Sequence, residues 1–381
     1  MKEERTLRVI QTLEIEDNCR GIYADNQFIF KNFSQLLDSA DHAWSYSTAI
    51  ERDENYTFLS VYANQKQLSE FSRDPQGILS VGDLIRSQKA AALTAKVDLS
   101  RLCFFDVLPD HLLHRWFSLR DAAMQEIIRT VPRPASYDIM HKIHVLTTEI
   151  SKRGLNVGKI RERVKYDIYT SATGRLATVK GSYPIMNIKK EERKSVTPQN
   201  DLFLELDLNG AEIRTLLAFS GVQQPTEDIH LWNMKDMPPW ISRSEAKAQF
   251  FAWLYNPKAE NGIYEKHYNK KAYLEHYTNA TIRTPFGRAL PVDERKALNY
   301  LLQSTTSDIV LENAYKIVKK LRGTKSFVAF TMHDSVVLDF AKEDYEMVSQ
   351  LKDIFETNLF GRFLSNVSIG KNFGEMKEIR V

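Results

Sequence analysis

Apolar residues in the second half of the chain fall into short runs separated by polar turns. Leu202–Leu208 (LFLELDL) predicts a strand that carries Asp207 near its end. Asn209 and Gly210 supply a turn, and Glu212–Gly221 then predicts a short helix. Phe327–Met332 and Val336–Phe340 predict two apolar strands joined through His333-Asp334-Ser335, a β-hairpin with an aspartate at its tip. Ile241–Tyr255 predicts a helix opened by the capping pair Ser242 and Glu245 and stopped by Asn256-Pro257. Earlier, helical spacing covers Leu84–Leu99, Leu112–Thr130 and residues 138–154, the last with Ile139, Ile143, Leu146 and Ile150 in register and Gly154 as a cap. Gly21–Phe30 predicts two short strands around Ala-Asp-Asn, and Tyr56–Ala63 another strand. No internal repeat or low-complexity tract interrupts the pattern.

With 381 residues the chain is long enough for two or three domains, and Pro132 with Pro134 marks the first boundary. A content of 43% hydrophobic and 27% charged residues is that of a globular protein. No apolar run has the length of a membrane span, and the start lacks the features of a signal or transit peptide. The expectation is a soluble intracellular protein with no membrane partner. Cys19 and Cys103, far apart, exclude a disulfide framework and a zinc site. The net charge of +3 is too small to declare a nucleic-acid partner. If one is bound, basic residues must gather on one face; Lys159–Lys165 is one basic stretch.

Asp207 and Asp334 are the candidate metal ligands. A carboxylate where a strand opens into a turn is reachable, and hard divalent ions take oxygen ligands. The two lie 127 positions apart, and spacing alone does not pair them: two unrelated turn aspartates fit as well. On the helix, Arg243, Lys247, Phe251 and Tyr255 recur at four-residue steps and share a stripe. Two cations followed by two rings suit a nucleotide, phosphates on the cations and sugar or base on the rings. The plainer alternative is a surface helix with its rings in the core.

LDLNGAEIRTLLAFSG with Asp228-Ile229-His230 resembles the first palm motif of family-A DNA polymerases, at Asp207, Glu212, Arg214 and the Asp-Ile-His triplet. The helix stripe resembles that family's fingers helix in the same register, and His333-Asp334 its third motif. Thr173-Gly174-Arg175-Leu176 with Asn187-Ile188, then Thr284–Arg288 with Arg295, Asn299 and Gln303, then Gly370-Lys371-Asn372-Phe373, resemble three further segments in the right order. The sequence departs from the family at Asn209-Gly210-Ala211, at Asn256, and at Ser335, where a second acid is usual. The family's long thumb is reduced to a stub within 138–170.

The resemblance implies an α/β (α+β) fold: a right-hand palm with an antiparallel sheet and helical fingers, beside an N-terminal α/β domain. Its domains would be 1–132, a connector or rudimentary thumb at 133–170, and palm with fingers at 171–381 (fingers about 225–300). It implies primer extension with dNTPs on primer-template DNA. Asp207, Asp334 and the Leu208 carbonyl would hold two Mg²⁺ ions. Arg243, Lys247 and His230 would bind the triphosphate, with Lys247 as general acid or as a neutralising charge. Phe251 would meet the sugar and Tyr255 the templating base. Glu212 would crowd the 2′ position. Arg175, Asn187, Arg295, Asn299, Gln303 and His333 would touch the duplex near the primer end. Rival readings are a single-subunit RNA polymerase and a replication subunit that is non-catalytic or depends on other replication proteins; a reverse transcriptase-like enzyme fits less, because its motifs differ. In residues 1–132, Glu14, Glu16 and Asp17 mimic a first exonuclease strand, but Asp38, Asp41 and Asp106 fall in no pattern; the region reads as a degenerate exonuclease remnant without proofreading or, equally, as a docking module for a replisome partner.

Overall fold

The structure is a computed structural model that describes residues 8–13, 19–40, 42–47, 68–97, 109–256 and 258–380. The strand expected at Tyr56–Ala63 and the acids Glu14, Glu16, Asp17, Asp41 and Asp106 lie outside these residues. The chain divides into two compact units, Met1–His141 and Lys142–Val381.

In the first unit, β1 (Arg8–Leu13), β2 (Cys19–Ala24), β3 (Gln27–Ile29) and β4 (His42–Ser47) form one sheet in the order β3-β2-β1-β4. β1 runs parallel to β4 and antiparallel to β2. The expected turn is present: Ala24 pairs with Gln27, leaving Asp25 and Asn26 at φ +50° and +63°. Asn and Asp tolerate that left-handed region better than most residues. Helix α1 spans Pro75–Thr94, starting well before the expected Leu84. Asp74 accepts the Gly77 amide at 2.8 Å and Pro75 opens the first turn, a start signal that apolar spacing does not report. Helix α2, Asp110–Thr130, ends as expected. Helix α3, Tyr137–Arg153, matches its pattern, with Gly154 at φ +70° after it.

The second unit begins within α3, at Lys142, and continues with β5 (Leu155–Val157), β6 (Ile160–Glu162), β7 (Tyr166–Asp167), β8 (Ala177–Thr178) and β9 (Val196–Thr197), paired in two small sheets. Its centre is β10, Leu202–Leu208. Alternation puts Phe203, Glu205 and Asp207 on one face and the leucines on the other. Helices α4 (Ala211–Phe219), α5 (Ile229–Met234), α6 (Arg243–Tyr255) and α7 (Glu294–Lys320) follow. Then come β11 (Phe327–Met332), β12 (Ser335–Phe340), helix α8 (Val348–Glu356), β13 (Ser365–Gly370) and β14 (Lys377–Ile379). The main sheet is antiparallel throughout, in the order β11-β12-β10-β13-β14. The mixed helical and antiparallel architecture agrees with the expected α+β class.

One core fixes the helices beside the sheet. Ile213, Leu216 and Leu217 of α4 pack with Phe250, Trp253 and Leu254 of α6 and Leu302 of α7. Burying one such side chain contributes roughly 1.5–3 kcal/mol. This decides which face of α6 is outward: Phe250 and Trp253 are buried in the core, Phe251 is half-buried against its edge, and Tyr255 is exposed. Among the described residues, no helix is long and apolar enough to cross a membrane.

Candidate active site

β10 delivers Asp207 to the end of the sheet, where the chain turns through Asn209-Gly210 into α4. Gly210 has φ +63°, and a Cβ there would lie 2.4 Å from the Ile229 Cγ2, so both backbone and space require glycine. The hairpin β11–β12 closes with Met332 opposite Ser335, so its tip is His333-Asp334, with His333 at φ +48°. Ser335 begins β12 and sits opposite Asp207. The Leu208 amide donates to the Asp334 carbonyl at 3.2 Å. The ladder thus makes neighbours of the two aspartates, which spacing had left unpaired.

Asp207, Leu208, His333 and Asp334 line a cavity of about 360 Å³. Burial, then Asp334 and Glu205, push the Asp207 carboxyl up to about 7, against the pull of Lys247. Glu205 is also raised, chiefly by burial, although the Ser335 hydroxyl donates to its Oε1 at 3.0 Å. The acids therefore crowd one another in a partly desolvated place, and cationic charge brought there relieves them.

All four stripe residues of α6, Arg243, Lys247, Phe251 and Tyr255, line the same cavity. Two are held by neighbouring acids. Arg243 donates to Asp228 through Nη2 (2.6 Å) and Nε (3.3 Å). The Tyr255 hydroxyl bonds Glu212, which also pairs with Arg175. Burial and Glu212 together push the Tyr255 hydroxyl up. Its ring stacks on Phe251 with centroids 5.8 Å apart and planes at 11°. Lys247 is exposed, with no acidic partner among the described residues.

Glu212, Arg175 and His230 also line the cavity. His230 is 3% exposed, and its Nδ1 has no partner among the described residues. Burial lowers its imidazole to about 4; Asp228 opposes this, while Arg243 and Lys247 add to it. A ring lowered this far is neutral at pH 7 and carries one donor and one acceptor nitrogen. Arg175 follows Gly174 at φ +74°, where a Cβ would lie 2.6 Å from the Arg288 guanidinium carbon. Arg288 is itself held by two-point contact with buried Asp308, Nε to Oδ2 and Nη2 to Oδ1, each at 2.8 Å.

Four expected residues do not line the cavity. Asn187 is exposed at the end of a 3₁₀ turn. Arg295 is exposed and bonded to Asp293. Asn299 and Gln303 are half-buried, and the Asn299 Oδ1 is buried without a partner among the described residues. Arg295, Asn299 and Gln303 continue at four-residue steps to Ser307, which does line the cavity with Thr306.

Sequence reasoning missed the group that joins floor to wall. The Asn209 side chain accepts from the Ile229 amide (2.8 Å) and from Arg214 (3.2 Å), and donates to Asp228 (2.7 Å). Arg214, fully buried, also donates to the carbonyls of Asn209, Pro225 and Glu227 at 2.6–2.9 Å. Burial lowers its guanidinium to about 10. Asp228 caps α5 through the His230 and Leu231 amides. Burial acts against its ionisation, but Arg243, Asn209 and the Leu231 amide hold it well below the usual carboxylate range. In the sequence Asn209 stood out as a turn residue and as a departure from a motif, not as a bonding partner of Arg214 and Asp228.

No family profile matches the chain. Part of it is similar to a DNA polymerase of Bacillus phage SP01, 30% identical over 164 residues, or 37% of this chain. The match spans 18% of that relative's length. Among solved structures, the chain is similar to the POL domain of Pol1 from M. smegmatis, in a complex with DNA primer-template and dNTP. That match has a TM-score of 0.44 and 14% identity, and covers 71% of this chain and 55% of the other.

Proposed function

We propose that this chain is a template-directed DNA polymerase of the family-A type, extending a primer 3′ end with dNTPs. The observation that carries the reading is the meeting of Asp207 and Asp334, across adjacent strands, in a cavity walled by Arg243, Lys247 and Phe251.

The donor set fits Mg²⁺: two carboxylates and the Leu208 carbonyl are hard oxygen ligands, and the crowded acids favour added positive charge. Two bound ions would promote loss of the primer hydroxyl proton and stabilise the charge that develops on the phosphoryl oxygens.

In the step itself, the primer 3′ oxygen bonds to the α-phosphorus and the bond to the bridging oxygen breaks, releasing pyrophosphate. Lys247 and Arg243 neutralise the triphosphate, and the leaving pyrophosphate takes a proton from Lys247 or solvent. Neutral His230 donates a hydrogen bond to the same phosphates. Phe251 packs on the sugar, and Glu212 crowds the 2′ position against a ribonucleotide. Arg243 exchanges Asp228 for phosphate, and Tyr255 exchanges Glu212 for the templating base. Arg175, Asn187, Arg295, Asn299, Gln303 and His333 contact the duplex behind the primer terminus.

Primer extension by the purified chain with Mg²⁺ tests this. Extension with dNTPs in strong preference to rNTPs, abolished in Asp334→Ala while primer-template binding persists, is expected. Extension by Asp334→Ala at the wild-type rate contradicts the assignment. Preference for rNTPs favours an RNA polymerase.

A further inference from the structure

Asp207 has a neighbour on each side of it in the sheet. β10 lies between β12 and β13, and Asp207 sits opposite Ser335 on the first and Asn366 on the second. Residues opposed in this way share a face of the sheet, with Cβ atoms roughly 4.5–5.5 Å apart. Both neighbours are neutral and polar, but only one is committed. The Ser335 hydroxyl is spent on Glu205, to which it donates at 3.0 Å, and Ser335 does not line the cavity. Asn366 does line it, half-buried, and its side-chain amide has no hydrogen-bond partner among the described residues. An Asn amide carries two donor hydrogens and an acceptor oxygen, so a ligand entering the cavity meets all of them unengaged.

The strand order says which part of a ligand that is. Asp334, at the hairpin tip that leads into β12, lies on one side of Asp207, and Asn366 lies on the other. The cationic wall reaches toward the Asn366 side. Asp228 raises the Arg243 guanidinium against the pull of burial, and Glu378 adds to Asp228. Glu378 belongs to β14 and sits opposite Ser368 of β13, two residues along from Asn366. Alternation and pairing put Asn366, Ser368 and Glu378 on the sheet face that carries Asp207. Arg243 is therefore close enough to the β13–β14 edge to feel its charge, and Asn366 is the side chain on that edge next to Asp207.

We propose that Asn366 is a further binding residue for the incoming nucleotide, its Nδ2 donating to a phosphate oxygen of the triphosphate that Arg243 and Lys247 neutralise. The proposal rests on the polymerase reading and adds a residue to it. A neutral donor suits this place. A carboxylate here would join the crowded Glu205, Asp207 and Asp334 and would face the triphosphate with a like charge.

The test has two parts: isothermal titration calorimetry of the purified chain with inorganic tripolyphosphate and Mg²⁺, and single-turnover incorporation across a range of dNTP concentrations. Asn366→Ala should weaken tripolyphosphate binding about tenfold, the loss expected for one hydrogen bond to a charged acceptor. The apparent Kd for dNTP should rise by a similar factor, while the maximal incorporation rate stays within about twofold of wild type. Asn366→Asp keeps the size and shape of the side chain but replaces a donor with a like charge, and should weaken tripolyphosphate binding about 100-fold. Unchanged tripolyphosphate affinity in the two variants overturns the proposal and leaves the polymerase reading standing. A loss that falls on the maximal rate, with dNTP and tripolyphosphate affinity retained, also overturns it, because Asn366 would then act through Asp207. Wild type that binds tripolyphosphate, with the expected losses in both variants but no primer extension, supports the phosphate contact and contradicts the polymerase reading.

Discussion

The acids on the floor of the cavity and the cations and rings on its wall are held in place by different kinds of bond. Asp207 and Asp334 are placed by the backbone ladder: Asp207 faces Ser335 in register, and the Leu208 amide ties the hairpin tip directly. On the wall, Arg243 and Tyr255 are placed by side-chain bonds to Asp228 and Glu212, which a ligand's own charges can replace. A ladder position cannot move without breaking several bonds at once, whereas an ion pair at the rim exchanges at small net cost. The floor therefore suits a step that needs fixed geometry, and the wall suits one that must admit and release a charged substrate.

Perturbations of the wall sharpen this contrast. Lys247→Ala removes the stripe cation without an acidic partner and should lower kcat/KM for dNTP by about 100-fold, or ~2.7 kcal/mol, in single-turnover kinetics with primer-template binding retained. A loss confined to primer-template affinity contradicts its place beside the triphosphate. Asn209→Ala strips partners from buried Arg214, the Ile229 amide and Asp228. It should destabilise the fold by about 2 kcal/mol in denaturant unfolding, and a loss near zero would mean the wall is not tied to the floor there.

A third perturbation uses pH. The folded-state pKa of Asp228 lies below its unfolded value of about 4, so its contribution to stability is full above pH 4 and disappears as pH falls through the folded pKa. Thermal unfolding followed from pH 6 down to pH 2 should show a steeper acid decline in wild type than in Asp228→Asn; parallel curves remove Asp228 from the account. The smallest effect belongs to Tyr255→Phe, which cuts the tie to Glu212 and leaves the ring stack. Apparent dNTP affinity should rise about two- to threefold, ~0.5 kcal/mol, and a fall would mean the hydroxyl serves the substrate rather than the empty site.

The floor was legible in the sequence because its signals are local and periodic. LFLELDL and the two apolar runs around His333-Asp334 each announce a strand end with an acid on it. Their pairing was not legible, since register between strands 127 positions apart depends on the folded sheet. The α6 stripe was legible as a stripe, but spacing did not say which rings were core. Phe250 and Trp253 settle that by packing against α4 and α7. The Asn209–Arg214–Asp228 linkage was invisible as chemistry: an Asn in a turn carries no periodic signal, and its value lies in three bonds to distant backbone and side chains. The early start of α1 was hidden for a related reason, as a cap is one residue and not a pattern.

The most direct test of the central claim is a double-mutant cycle on single-turnover incorporation with Asp207→Asn, Asp334→Asn and both together. If the two acids form one ion-binding site, each single change removes nearly all activity and the double variant is scarcely worse. Losses that simply add would mean that the two carboxylates act independently, and the account of the site would be wrong.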